Sequence, residues 1–184
     1  MIYFISDTHF NHKNILEYEH RPFSSIEEHD NLIINNWNQV VKPDDTVFHL
    51  GDFCFGDNEQ AKEYFLRLNG HIYLIYNRFH HDRHWKKQDI YWGKSNHLVY
   101  FLEPIYLFTH NEKILILSHY PQYIWDRKHY GSWHLFGHSQ IDSIPDSIFC
   151  MNVSVTKIKY CPISFDEVAE IMMKKGEQNE SNLS

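Results

Sequence analysis

Ile2-Tyr3-Phe4-Ile5-Ser6-Asp7-Thr8-His9 and, further along, Thr46-Val47-Phe48-His49-Leu50-Gly51-Asp52 are the two stretches that decide the fold class. Each is a short, nearly continuous apolar run that stops at a carboxylate. A strand covered on both faces reads this way, whereas a strand with one wet face alternates. Between the two runs lies a helix signature. Ser25-x-x-Glu28 is a capping box, Ile33, Trp37, Val40 and Val41 follow at helical spacing, and Pro43 closes the segment. Strand, helix, strand in this order predicts a βαβ unit and a parallel sheet.

The same grammar continues outward. Ile72–Tyr76, Leu98–Phe101, Ile105–Phe108, Ile114–Leu117 and His134–Phe136 read as further strands. Ala61, Tyr64, Phe65 and Leu68 form a second helical stripe, ended by Asn69-Gly70. Ser164-x-x-Glu167 starts a third helix carrying Val168, Ile171 and Met172. The strand series after residue 98 predicts a second, mixed or antiparallel part of the sheet system. The chain shows no internal repeat and no Gly-, Pro- or Ser-rich linker, so one domain over residues 1–175 is expected. The polar stretch from Gly176 to residue 184 is expected to be a disordered, frayed tail.

Composition narrows the function. The 184 residues include 42 % hydrophobic and 16 % aromatic side chains, enough for a real core. The net charge of −7 gives no electrostatic reason for tight, sequence-blind binding to nucleic acid, although a bound metal can reverse the sign of a pocket. The three cysteines, Cys54, Cys150 and Cys161, form no paired spacing, which suits a reducing compartment. MIYFISD lacks the basic start of a signal peptide, and no apolar stretch is long enough to span a bilayer. A soluble, cytoplasmic protein is therefore expected. Histidine, at 15, is unusually abundant, and it is the commonest transition-metal ligand.

Ligand-type residues appear where the apolar runs end. Asp7 and His9 follow the first run, Gly51-Asp52 the second, Asn77 the third, His119 follows Ser118, and Gly137-His138-Ser139-Gln140 follows Phe136. In α/β sheets, sites collect beyond the carboxyl ends of strands. One aspartate after a strand is ordinarily a turn residue, but five such endings offering carboxylate, imidazole or amide point to one shared site.

This order of motifs resembles the calcineurin-like metallophosphoesterase superfamily over residues 7–140, and the tail, with Asn152-Val153 and Pro162-Ile163-Ser164, looks like its small bacterial and phage members. The resemblance implies a four-layer α/β/β/α sandwich with two divalent ions drawn from Mn, Fe, Zn and Co. It implies one ion on Asp7, His9, Asp52 and Gln140 and another on Asp52, Asn77, His119 and His138, with Asp52 bridging. The implied reaction is hydrolysis of a phosphomonoester or phosphodiester by a metal-activated water. A nucleotide is among the candidate substrates, because the Gly-His-x-Gln ending is shared with the superfamily's 5′-nucleotidase branch.

The third motif departs from the family. In place of Gly-Asn-His-Asp/Glu the chain reads Tyr76-Asn77-Arg78-Phe79-His80-His81-Asp82. Either Asn77 is the ligand and His80 or His81 protonates the leaving oxygen, or the register shifts and Arg78 binds the substrate phosphate. Asp82 would then fix the tautomer of His81. His12 is a candidate on the substrate pocket. Asn14, Tyr120 and Arg127 are softer candidates there, and Trp85, Tyr91 and Trp92 could stack on a base. His49 reads as a buried histidine satisfied by neighbours. Two rival readings stay open: a nuclease on the same fold, and a catalytically weak metal-binding interaction scaffold.

Overall fold

Strand β1 (Ile2–Ile5) sends Tyr3 and Ile5 to one side and Phe4 to the other, and both sides are buried. The uninterrupted apolar run is thus explained by two covered faces. The computed structural model describes residues 1–76, 82, 99–138, 144 and 148–183. β1 pairs in parallel with β2 (Thr46–His49), β2 with β3 (His71–Ile75), and β3 with β4 (Val99–Leu102). The short β9 (Ile163–Ser164) lies antiparallel to β1 on its other side, giving the order β4-β3-β2-β1-β9. A second sheet runs β5 (Ile105–His110), β6 (Lys113–Ser118), β7 (Trp133–Phe136), β8 (Cys150–Asn152). Its β5–β6 pair is antiparallel and the others are parallel. The second sheet is mixed, as the sequence predicts. The strand expected from residue 98, however, belongs to the first sheet.

Local chemistry sets the helices. α1 (Ile15–Tyr18) is a single turn. At the start of α2 (Ile26–Val40), Ser25 Oγ accepts the Glu28 amide at 3.1 Å. α3 (Asn58–Arg67) opens on a capping box between Asp57 and Gln60. α4 (Phe165–Leu183) opens on Ser164 and Glu167, whose backbone amides donate to each other's side chains at 3.2 and 2.9 Å.

Layering follows from the faces. Ile33, Ile34 and Trp37 of α2 and Ala61 and Phe65 of α3 pack on Tyr3, Ile5, Val47, Ile72 and Leu74. The opposite face of the first sheet, with Phe4, Phe48 and Ile75, meets Leu115, Leu117, Trp133 and Leu135 of the second sheet. Phe165, Val168 and Met172 of α4 complete that inner core. Trp125 and Ile144 cover the outer side of the second sheet over Ile116 and Phe136, and a 3-10 turn at Lys128–Tyr130 follows Trp125. The result is the expected α/β architecture of two stacked sheets with helical outer cover. No helix among the described residues is long and apolar enough to cross a membrane.

The polar C-terminal stretch differs from expectation. α4 runs on past Gly176 to Leu183 instead of ending before it. Contact with the sheet gives a reason: Lys175 Nζ donates to Cys150 O at 2.7 Å, and Gly176 lies close to the Phe149 ring. Anchoring the helix there lets its last turns form despite their polarity.

Candidate metal centre

Among the described residues, strand ends from both sheets bring Asp7, Asp52 and His119 together. After β1 and β2 the two chains run on side by side, joined by Asp7 N to Gly51 O at 3.1 Å, His9 N to Asp52 O at 3.0 Å and Phe10 N to Phe53 O at 2.8 Å. This pairing faces Asp7 and His9 toward Asp52. From the second sheet, β6 delivers His119 and β7 delivers His138, and Gly137 N donates to His119 O at 2.9 Å.

One ligand atom from each of Asp7, Asp52 and His119 lies within 4.8 Å of the others, and all three residues are buried. His119 Nε2 is 3.5 Å from Asp52 Oδ2, and His9 Nε2 is 3.6 Å from the same oxygen and 4.0 Å from Asp7 Oδ1. His119 Nδ1 faces the carbonyl of Leu50 at 3.0 Å. A carbonyl only accepts, so Nδ1 carries the proton and, in the neutral ring, Nε2 presents its lone pair to Asp52. His9 Nδ1 lies 3.4 Å from His12 Nδ1. If His9 is the donor there, its Nε2 is also a lone pair aimed at the carboxylates. Lone pairs and anions meeting in a buried space repel unless a cation or protons sit among them. The donor set therefore fits a divalent metal ion of the N/O-preferring type. Burial pushes Asp7 up to about 6, with the His119 charge opposing and Asp52 adding to the rise, as expected of an anion set short of positive charge.

The backbone carries strain at these positions. Asp7, His9, Asn11, Asp52 and His138 all have left-handed φ, at 58°, 47°, 60°, 54° and 59°. Such conformations cost on the order of 1 kcal/mol or more per non-glycine residue and persist only where surroundings enforce them. Gly137 shows the tightest fit. A Cβ there would stand 2.1 Å from Ser6 Oγ and 2.8 Å from Asp7 Oδ2. Next to it, the His138 amide donates to Asp7 Oδ2 at 3.0 Å. The glycine thus lets the second sheet's chain reach the first sheet's carboxylate.

Other expected residues sort as follows. Asn77, Arg78, His80, His81 and Gln140 lie outside the described residues, as do Trp85, Tyr91 and Trp92. Asp82 is buried, and its described contacts are to backbone: it accepts from Phe53 N at 3.0 Å and Cys54 N at 3.1 Å. It therefore clamps the loop that carries Asp52, a role the sequence reading did not give it. Burial, with Asp52 adding, raises it to about 8. His12 is buried and stacked on Phe55, with its Nδ1 toward His9. Asn14 and Arg127 are exposed, and Arg127 sits beside Asp126. Tyr120 is 47 % exposed and packs edge-on against His119 and tilted against His138. With Pro104, Ile105, Ser118, His119, Pro121 and Gln122 it lines a hollow of about 220 Å³.

His49 is a satisfied buried histidine. Its Nδ1 accepts the Gly51 amide at 3.2 Å, so its Nε2–H donates to Thr8 Oγ1 at 3.0 Å, and Thr8 passes the bond on to Phe53 O at 2.8 Å. Burial lowers its imidazole to about 3. The sequence reading missed Arg21, His29 and Asp30, which form a buried polar group behind the Asp7–Asn11 turn. A signal existed. His29 and Asp30 fall on the same helical stripe as Ile33, Ile34 and Trp37, and polar residues on a buried face need partners.

Comparison with known proteins places this geometry in context. The uncharacterized protein MJ1445 of Methanocaldococcus jannaschii is 34 % identical over 181 residues, covering 94 % of this chain and 92 % of that protein. The crystal structure of AQ665 from Aquifex aeolicus, a protein of unknown function, superposes with a TM-score of 0.63 at 25 % identity, covering 93 % of this chain and 98 % of that one. An archaeal phosphodiesterase structure superposes more loosely, with a TM-score of 0.44 at 15 % identity over 82 % of this chain and 81 % of that one. No protein-family model matches the chain.

Proposed function

We propose, because the chain belongs to the family of the Methanocaldococcus jannaschii protein MJ1445 and its motif order on this two-sheet fold is that of a calcineurin-like metallophosphoesterase, that it hydrolyses phosphate esters with two divalent metal ions. The observation that carries the reading is the buried meeting of Asp7, Asp52 and His119 at strand ends from both sheets. Asp7, His9 and Asp52 would hold one ion, and Asp52, His119 and His138 the other, with Asn77 and Gln140 completing the sets. Bound there, such ions lower the pKa of water and neutralise charge on the phosphoryl oxygens.

The chain's own residues supply the rest. Leu50 O and His12 orient the two imidazoles. The His138 amide and Gly137 keep Asp7 in place. The hollow beside Tyr120 gives the ester room to approach His119, and its apolar border suits an organic ester group, a nucleoside included. In the reaction a water oxygen bonds to phosphorus and gives up a proton to solvent, the ester P–O bond breaks, and the departing oxygen takes a proton from His81 or His80, which is reprotonated from solvent. The absence of a disulfide among Cys54, Cys150 and Cys161 supports a cytoplasmic setting.

The test is turnover of p-nitrophenyl phosphate and bis(p-nitrophenyl) phosphate by protein stripped with a chelator and then given Mn, Fe, Zn or Co. Turnover should vanish on stripping and return with at least one of these metals. Undiminished turnover in metal-free protein would remove the two-metal mechanism. Metal binding without turnover of either ester would favour the scaffold reading.

A further inference from the structure

The turn that carries Asp7 and His9 is held from behind by a buried guanidinium. The Arg21 side chain is fully buried, and its five N–H donors have five short contacts. Nε donates to Glu19 Oε2 at 2.9 Å. One terminal nitrogen donates to that same oxygen at 2.7 Å and to the Asp7 carbonyl at 2.8 Å. The other donates to the Thr8 carbonyl at 3.3 Å and to His29 Nε2 at 2.7 Å. A guanidinium only donates, so His29 accepts with Nε2 and its Nδ1–H donates to Asp30 Oδ1 at 2.7 Å. Asp30 Oδ2 then accepts from Tyr64 OH at 2.6 Å and from the Asn11 amide at 3.0 Å.

One connected chain of charge-assisted bonds thus grips the turn at both ends, Arg21 at the Asp7 and Thr8 carbonyls and Asp30 at the Asn11 amide. Between the grips the backbone is left-handed at Asp7, His9 and Asn11. Left to itself such a turn would relax toward common backbone angles and rotate Asp7 and His9 away from Asp52.

We propose that Arg21 is a positioning residue for the metal ion assigned to Asp7 and His9, fixing their shared turn through two carbonyls, an inference that rests on the metallophosphoesterase reading above. Lysine is no substitute. It carries a compact point charge with three donors, and it cannot span two carbonyls, an imidazole and a carboxylate in one plane. Groups that orient metal ligands from behind typically contribute tenfold to hundredfold to metal affinity.

The experiment titrates metal-free wild type, Arg21→Lys and the double variant Glu19→Gln/Arg21→Met with Co(II), read by visible absorption, and with Mn(II), read by calorimetry. The double variant removes the carboxylate that losing Arg21 would strand, and covers the case in which Arg21→Lys does not fold. Val168→Ala, buried in the core between the sheets, serves as a stability control. Both Arg21 variants should bind one ion about tenfold to hundredfold more weakly, with an altered Co(II) spectrum. The second ion should be held nearly as before, and Val168→Ala should lower Tm without moving either affinity. Arg21 variants with wild-type affinities and spectra, or a loss that Val168→Ala reproduces, would overturn the inference. Wild type that binds neither Co(II) nor Mn(II) would instead overturn the metal reading on which it stands.

Discussion

The two walls of the candidate metal centre are built differently. The wall from the first sheet, residues 6–12 and 50–54, is sewn together by backbone bonds, clamped by Arg21 and Asp82, and almost wholly buried. Its ligand candidates stand on strained, left-handed backbone. The wall from the second sheet is lighter. His119 is anchored to Leu50 O, but His138 is half-buried, and Tyr120 and its neighbours face an open hollow. The difference teaches a division of labour: one wall holds the candidate ligands rigidly, and the other leaves open space beside them.

The strongest attempt to break this contrast is at Asp52, whose Oδ2 lies near both His9 and His119. Asp52→Ala should abolish turnover and empty both metal positions, as read by elemental analysis. Equal metal content in variant and wild type would show that the walls do not share that carboxylate.

Gly137, at the seam between the walls, should come next. Gly137→Ala sets a methyl group against Ser6 and Asp7 and should destabilise the fold by about 1–3 kcal/mol, measured by urea unfolding. Adding Ser6→Ala should recover part of the stability but not the metal affinity, because the clash with Asp7 Oδ2 remains. Full recovery of both would show that the clash at Asp7 does not matter.

Within the second wall, His119→Ala should cost more than His138→Ala. The first strands the buried Leu50 carbonyl, a penalty of about 1–3 kcal/mol, besides losing a ligand. The second removes a half-buried ring whose backbone amide still serves Asp7. Equal losses of Tm would argue that His138 is held in the second wall as firmly as His119.

The smallest expected effect is in pH dependence, and it belongs to the first wall. Burial, with Asp52 behind it, raises Asp82 from 3.8 to about 8. The folded chain therefore keeps a proton that the unfolded chain releases near 3.8. Its contribution is fully present below that pH and is lost as pH rises through 8. His49 and His134, lowered mainly by burial to about 3 and about 4, lose stability only as pH falls below their ordinary 6.5, so they do not mask the alkaline limb. Metal-free protein should lose about 2 kcal/mol between roughly pH 6.5 and 8.5. Asp82→Asn should flatten that slope, read from thermal unfolding with chelator present. An unchanged slope in the variant would locate the titration elsewhere.

Legibility in the sequence followed the same contrast. Strands whose apolar runs are buried on both faces were readable, and so were the capping box at Ser164 and the helix start at Ser25, where the Glu28 carboxylate accepts from the Ser24 amide instead of that of Ser25, because both signals are local. β4 was assigned to the wrong sheet, since a run of apolar residues does not say which neighbour it will pair with. The convergence of Asp7, Asp52 and His119 was readable because each follows a strand. In the Arg21–His29–Asp30 group, the helical stripe marks His29 and Asp30 but not their partner, because Arg21 reaches back to Asp7 through a loop that carries no periodic pattern. Asp82 accepts from the backbone amides of Phe53 and Cys54, partners that sequence alone cannot point out, while its expected partner His81 lies outside the described residues.

The bond from the His138 amide to the Asp7 carboxylate joins residues 131 apart in the chain. Its closure needs the first and second sheets already stacked, so loop-closure entropy places it late in folding. A cation held at the seam, as proposed, would then not nucleate the fold; it would act as a fastening applied to an assembled molecule, slowing separation of the sheets more than it speeds their meeting. Stopped-flow folding with and without Mn(II) should accordingly show nearly equal refolding rates and a slower unfolding rate when the ion is present.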